Sequence, residues 1–409
     1  MSPARRVLSL ILLGGVFVME GYDLNAMALA VPRLQVGLGL APTAFGLVFS
    51  ALLVGIGVGG AVLAPFGDRF GRRTLIIAGC FAVGLFTLAT ASATSVGGFL
   101  MWRGLTGVAL GAALPNVSAL SAELAAPRLR ATVMALVSAG IPLGLALAGI
   151  LAPTVIAAGG WHGLFVVPGV FALTLAVVLR LVVEGGLPHA EADAGTPGEP
   201  AGALPQLGLF RRPWRLPFAV FATILSLNAL NLYLLNSWIP TILPLAGFSL
   251  DHAAQIAGIV QFAGLGMGVL ASIGIDRWRP MATLMIMFAA IAASFLAVSV
   301  TAPDAARWTL LLSVGVGGAS AGGMALPALC AYLFPPRQLS SAIGIGVLVA
   351  RLGAFAGPIV GQVILSAEAG PQAFFFAAAI PASICALVCL AIPAALAVRE
   401  RESGAGVRA

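Results

Sequence analysis

Twelve apolar runs, each long enough to cross a bilayer as a helix, follow one another along this 409-residue chain and leave it almost no other way to fold. They occupy about 8–32, 44–66, 74–93, 98–125, 131–157, 163–183, 214–243, 252–275, 281–301, 308–334, 339–365 and 372–397. Water is absent from the hydrocarbon interior, so the backbone N–H and C=O groups must satisfy one another, which only helices and closed barrels achieve. Barrel strands would read as segments of about ten residues with alternating polarity. These runs are longer, lack that alternation and carry Gly and Pro, which suits helices packed through small residues. With 60% of residues hydrophobic and 9% charged, against roughly a quarter charged in soluble domains, the chain is predicted to be an all-α membrane protein. Twelve transmembrane helices in two six-helix bundles are expected, with both termini on the same side.

The formal net charge of +7 does not point to a polyanionic partner. Seventeen of the 21 arginines fall on one side of the predicted membrane, only Arg33 and Arg307 on the other, and Arg103 and Arg351 inside spans. The positive-inside rule then makes the termini and the central loop cytoplasmic and the location the inner (cytoplasmic) membrane. No nucleic acid is expected as a partner. Arg5-Arg6 precede the first run as in a signal peptide, but that run is too long, contains acids and shows no convincing cleavage site, so a retained first helix is expected. Cys80, Cys330, Cys385 and Cys389 all lie inside predicted spans, which fits small packing residues rather than a disulfide framework or a metal site. His162, His189 and His252 sit in loops or at span ends, and no nucleophile–base spacing accompanies them, which argues against an enzyme. A chain without lysine holds no Gly-x-x-x-x-Gly-Lys nucleotide loop, so ATP-driven transport is unsupported. Neither cofactor nor metal is expected.

Glu184 to Arg212 is the one long polar stretch and reads as a cytoplasmic linker, dividing the chain into 1–183, 184–212 and 213–409. The two halves echo each other. Gly67-Asp68-Arg69-Phe70-Gly71-Arg72-Arg73 follows the second span and Gly274-Ile275-Asp276-Arg277-Trp278-Arg279 the eighth, with Asp68 and Asp276 separated by 208 residues. Ala113-Leu114-Pro115 and Ala325-Leu326-Pro327 repeat at an offset of 212, and Pro127-Arg128 and Pro336-Arg337 at 209. Parallel repeats of this kind imply a cleft between two bundles near the midplane, reached alternately from each side.

Glu20-Gly21-Tyr22-Asp23 places two carboxylates in the middle of the first span. An acid at that depth costs roughly 2.5–3.5 kcal/mol on insertion scales and is tolerated where it faces a polar cavity or a partner charge. Three residues apart, Glu20 and Asp23 share one helix face. Repulsion and desolvation there disfavour the doubly ionised form, so the pair is a candidate proton-coupling site. The competing reading is a structural ion pair between helices. Arg103 lies a turn or two inside the fourth span and Arg351 near the middle of the eleventh. Guanidinium grips carboxylates bidentately and stays charged, so Arg351 is the candidate for holding an anionic substrate and Arg103 for pairing with Asp23. Two acids and two arginines sum to zero. A bound monocarboxylate makes the sum −1 and one proton restores it, which favours symport of one proton per monoanion. In the seventh span Asn228, Asn231, Leu235 and Trp238 lie on one face, a polar and aromatic stripe that suits a phenolic ring, or equally helix packing with an interfacial Trp. Tyr22, Asn116 and Tyr332 are further candidates of the same kind. Glu123, near Arg128 and Arg130, reads as structural.

The chain resembles the major facilitator superfamily over nearly its whole length, and the Gly67–Arg73 stretch is similar to that superfamily's loop motif between the second and third helices. It resembles more narrowly the aromatic acid:proton symporter family, whose first helix usually carries Asp-Gly-x-Asp; here Glu20 replaces the first aspartate. With Leu105-Thr106-Gly107, Gly111-Ala112-Ala113-Leu114-Pro115-Asn116 and Arg351-Leu352-Gly353, it is most similar to the hydroxyphenylpropionate-transporter branch. The resemblance implies secondary active uptake of an aromatic carboxylate, of the hydroxybenzoate or hydroxyphenylpropionate type, with a proton. It gives Asp68, Arg69, Arg72 and Arg73 a role in conformational switching, so that substituting Asp68 would cost rate more than affinity. Asp276 and Arg277 form a second-half copy that lacks the Gly-Arg-Arg portion. Gly140, Gly144 and Gly149, and Gly353, Gly357 and Pro358, are similar to the superfamily's helix-bending pattern; small residues there allow close contact and bending. The expected partners are the small aromatic carboxylate, the proton and the lipid bilayer, for a protein acting as a monomer. Rival readings are a carrier for another small organic anion such as muconate, a drug/proton antiporter, and a non-transporting sensor. The last would be expected to carry a long cytoplasmic output segment, whereas eleven residues follow Val398.

Overall fold

The structure, a computed structural model, describes residues 3–126, 130–183, 209 and 213–405. The expected linker 184–212 lies outside the described residues apart from Leu209. The apolar runs fold as helices: α1 (Pro3–Leu38), α2 (Gly46–Val62), α3 (Phe66–Phe70), α4 (Arg72–Thr90), α5 (Val96–Leu124), α6 (Arg130–Ser138), α7 (Gly140–Val182), α8 (Arg215–Leu245), α9 (Leu250–Arg277), α10 (Pro280–Val300), α11 (Ala305–Leu333), α12 (Pro336–Ser366), α13 (Gly370–Cys389) and α14 (Ile392–Ala405). Local chemistry marks their starts. Ser95 Oγ accepts from the Gly98 N–H at 3.2 Å ahead of α5, and Asp304 Oδ1 from the Arg307 N–H at 2.8 Å ahead of α11. Proline opens α10, α12 and α13, where its missing N–H is no loss.

Among the described residues eleven helices are long and apolar enough to cross a membrane. One of them, Leu136–Val182, has 47 residues, enough for two passes. It is broken at Gly159 and Gly160, the latter at φ 61, a left-handed conformation open to glycine, so the twelve expected passes are present. The expected spans 131–157 and 163–183 are thus separated by a glycine pair rather than by a polar loop. A shorter break at Ala139 sets α6 off from α7. The last expected span, 372–397, ends early: α13 stops at Cys389, and Pro393, which has no N–H to continue the ladder, sits in the first turn of α14.

The chain forms two compact units. The first comprises Met1–Pro197, Ser237–Pro244 and Phe248–Ile259, the second Gly198–Asn236, Leu245–Gly247 and Val260–Ala409. Within the first, Leu13, Val16 and Phe17 of α1, Leu52 and Ile56 of α2, Cys80 and Val83 of α4, Leu110 and Val117 of α5, and Leu175 and Leu179 of α7 form a continuous buried cluster. Backbones meet closely where side chains are absent. A methyl on Gly59 would overlap the Val108 carbonyl, and methyls on Gly107 and Gly111 the Leu52 and Ile56 carbonyls, so α2 and α5 touch main chain to main chain. Gly21, Gly140 and Gly144 do the same between α1 and α7, and Gly353 and Gly357 between α12 and α8 in the second unit. The opposite helix faces expose Leu136, Leu181, Leu270, Leu310 and Leu387, the surface a bilayer covers.

Candidate functional site

The polar side chains of the first unit converge on the middle of α1, where Glu20, Asp23 and Asn25 are all buried. Asp23 is fully enclosed, and Arg103 of α5, 1% exposed, places Nη1 2.7 Å from both of its carboxylate oxygens. Arg103 Nη2 also donates to the Asp23 carbonyl at 3.0 Å, and Thr87 of α4 reaches Asp23 Oδ1 at 3.4 Å. The charge pair therefore ties α1 to α4 and α5 inside the apolar cluster. Charge-assisted bonds of this kind are strong because no water competes for them. Asn25 Nδ2 donates to the Leu145 carbonyl at 2.8 Å and brings in α7. The Tyr22 hydroxyl is buried without a hydrogen-bond partner among the described residues.

The loop after α2 is fixed from below by α5. Asn116 donates to the Ala64 carbonyl at 3.1 Å and to Ala112 at 2.9 Å, and its Oδ1 lies where a methyl on Gly67 would be. Arg72 pairs with Glu123 at the end of α5, Arg73 donates to the Arg180 carbonyl, and the Arg69 guanidinium stands 5.5 Å from the Phe70 ring centroid. Gly71, at φ 90, makes the corner between α3 and α4. The side chains of Asp68 and Asp276 lie outside the described part of the structure, and Arg277 is exposed. At the ends of α1 and α9, Arg33 and Asp251 form an ion pair at 2.9 Å within the first unit.

In the second unit, Asn228 donates to the Ala319 carbonyl of α11 at 3.1 Å and Asn231 to the Ala378 carbonyl of α13 at 3.0 Å. Both amides are buried, and neither Oδ1 has a hydrogen-bond partner among the described residues. Gly322 leaves room for Asn228. Trp238, in the part of α8 that belongs to the first unit, is fully buried and meets Phe49 edge-on at 5.4 Å between centroids. Arg351 is half-buried on α12 and carries no hydrogen bond or ion pair among the described residues. The Tyr332 carbonyl accepts from Arg399 of α14.

The sequence reading missed a second group of amides. Gln261 of α9, 2% exposed, donates from Nε2 to Asn236 Oδ1 at 2.9 Å, and its Oε1 accepts from Ser320 of α11 at 3.0 Å. The available signal was a glutamine in the middle of an apolar span. Glu123 was also read apart from the loop motif, because its partner Arg72 lies 51 residues away in sequence.

The chain matches the family model described as Major Facilitator Superfamily over residues 11–329. It is similar to the 3-(3-hydroxy-phenyl)propionate transporter of Escherichia coli, with 32% identity over 90% of this chain and 89% of the relative. It is similar also to the 4-hydroxybenzoate transporter PcaK of Pseudomonas aeruginosa, with 30% identity over 90% of this chain and 88% of the relative. Among solved structures, a bacterial homologue of the human lysosomal transporter Spinster superposes with a TM-score of 0.76, covering 97% of this chain and 98% of that one. At 16% identity that likeness carries the fold alone.

Proposed function

Because this chain belongs to the Major Facilitator Superfamily, we propose that it is a secondary active transporter that carries an aromatic carboxylate together with a proton by alternating access. The observation that carries the coupling is the enclosed Asp23–Arg103 pair with buried Glu20 one turn earlier, an arrangement whose net charge changes when one acid takes a proton. Relatives at 30–32% identity, named for hydroxylated aromatic acids, support the substrate class. Arg351 supports the anion: a half-buried guanidinium without a partner among the described residues is a cation in want of a carboxylate.

Glu20 and Asp23 then hold the transported proton, Arg103 fixes Asp23, and Arg351 takes the substrate carboxylate. Asn228 and Asn231 of the second unit and, separately, Trp238 and Tyr22 of the first are candidates to meet the ring, with Tyr332 as an outer one, whereas the Asn116 amide is taken up by the Ala64 and Ala112 carbonyls. The loop from Asp68 to Arg73 switches conformation, with Arg72 locking to Glu123 and Asp276 and Arg277 as the weaker copy. The protein sits in the inner membrane with cytoplasmic termini, as the arginine distribution supports, and acts there as a monomer.

The test is uptake of radiolabelled 3-(3-hydroxyphenyl)propionate and 4-hydroxybenzoate into proteoliposomes, with and without an inward proton gradient. Gradient-stimulated uptake in the wild type that disappears in Asp23→Asn is the expected result. Movement of neither acid under any gradient would remove the aromatic-acid reading.

A further inference from the structure

The amide chain of the second unit has a direction. Ser320 Oγ donates to Gln261 Oε1, which forces Gln261 Nε2 outward as the donor to Asn236 Oδ1. The amide of Asn236 is thereby oriented, with Oδ1 occupied and Nδ2 the end that remains. Asn236 is half-buried, and its Nδ2 has no hydrogen-bond partner among the described residues. Gln261 is enclosed and its amide is consumed at both ends, so it acts as a strut between α11 and α8. The outcome is a pre-aimed, uncharged N–H donor at one end and a serine oxygen with acceptor capacity at the other. The second-unit parts of α8 and α9, together with α11, supply it.

An uncharged N–H donor is a poor match for a carboxylate, which Arg351 serves with full charge. It matches a hydroxyl, whose oxygen accepts a hydrogen bond. Resting on the aromatic-carboxylate reading above, we propose that Asn236, oriented by Gln261 and Ser320, is the residue that recognises the ring hydroxyl of the substrate and so sets preference for hydroxylated over unhydroxylated acids. A site built to hydrogen-bond a hydroxyl rejects the analogue without it, because its own polar group is then left unpaired. Asn228 and Asn231 are less suited to this role, since each donates its amide to a backbone carbonyl of a neighbouring helix.

The experiment measures kcat/KM for proton-driven uptake by the full-length protein in proteoliposomes. Two substrate pairs are used: 4-hydroxybenzoate with benzoate, and 3-(3-hydroxyphenyl)propionate with 3-phenylpropionate. Asn236→Leu is expected to lower the hydroxylated-to-unhydroxylated ratio about tenfold. Ser320→Ala, a small change that releases one end of the strut, is expected to lower the ratio in the same direction by less, and it decides the matter if Asn236→Leu does not assemble. Equal loss for both members of a pair, an unchanged ratio, or a wild type that does not discriminate within either pair would overturn the assignment. If the wild type moves none of the four acids, the transport reading itself falls and takes this one with it; an unchanged ratio in a variant that still transports removes only the role of Asn236.

Discussion

Asp23 and Arg103 are more informative together than apart. Both are enclosed, and among the described residues each finds its opposite charge at hydrogen-bond distance in the other. A buried pair of this kind contributes little net stability, yet removing one partner leaves a stranded charge at a cost of about 3–5 kcal/mol. Arg103→Leu should therefore lower the melting temperature of the detergent-purified protein sharply, and adding Asp23→Asn should recover much of the loss while leaving transport uncoupled. Additive losses in the double variant would mean that the two side chains act independently. The pair could be anticipated from the sequence because charges inside apolar runs are rare and conspicuous. The carbonyl partners of Asn25, Asn228 and Asn231 could not: a main-chain oxygen on a distant helix leaves no trace in residue identity.

At the scale of helices and loops, apolar run length was sufficient to place most elements, since each run must be satisfied by its own backbone. It was blind to breaks made without polar residues. α6 ends at Ser138 within the expected span 131–157, and α13 ends ahead of Pro393 within the expected span 372–397, both in hydrophobic sequence that reads as continuous, whereas the break at Gly159–Gly160 falls between two expected spans. The loop between α2 and α4 carries a further constraint that only packing reveals. Asn116 fills the space next to Gly67 and ties Ala64 to α5. A methyl at Gly67 must displace the Asn116 amide from its carbonyl partners. Gly67→Ala should thus slow transport with little change in KM, and Gly67→Ala combined with Asn116→Ala should be faster than Gly67→Ala alone. A double variant slower than either single one would show that the contact between them does not matter.

Across the whole molecule, the charge inside the helices governs which forces drive transport. Glu20, Asp23, Arg103 and Arg351 sum to zero, and one monoanion with one proton keeps that sum. The cycle proposed above is therefore electroneutral. A potassium diffusion potential imposed across proteoliposomes without a pH difference should produce no accumulation of the acid, whereas a pH difference without a potential should. Accumulation driven by potential alone would require a second proton or another cation.

The seam where α2 and α5 touch through Gly59, Gly107 and Gly111 also shapes how such a chain can diverge. Every missense change in a glycine codon adds a side chain, and at these three positions the added atoms land on a carbonyl of the facing helix. Gly57 and Gly104, with nothing within 4 Å, carry no such restriction. Substitutions at Asn236 or Ser320 alter side-chain hydrogen bonds instead, so on the assignment proposed above a change in preferred acid is open to single steps that the glycine seam does not allow.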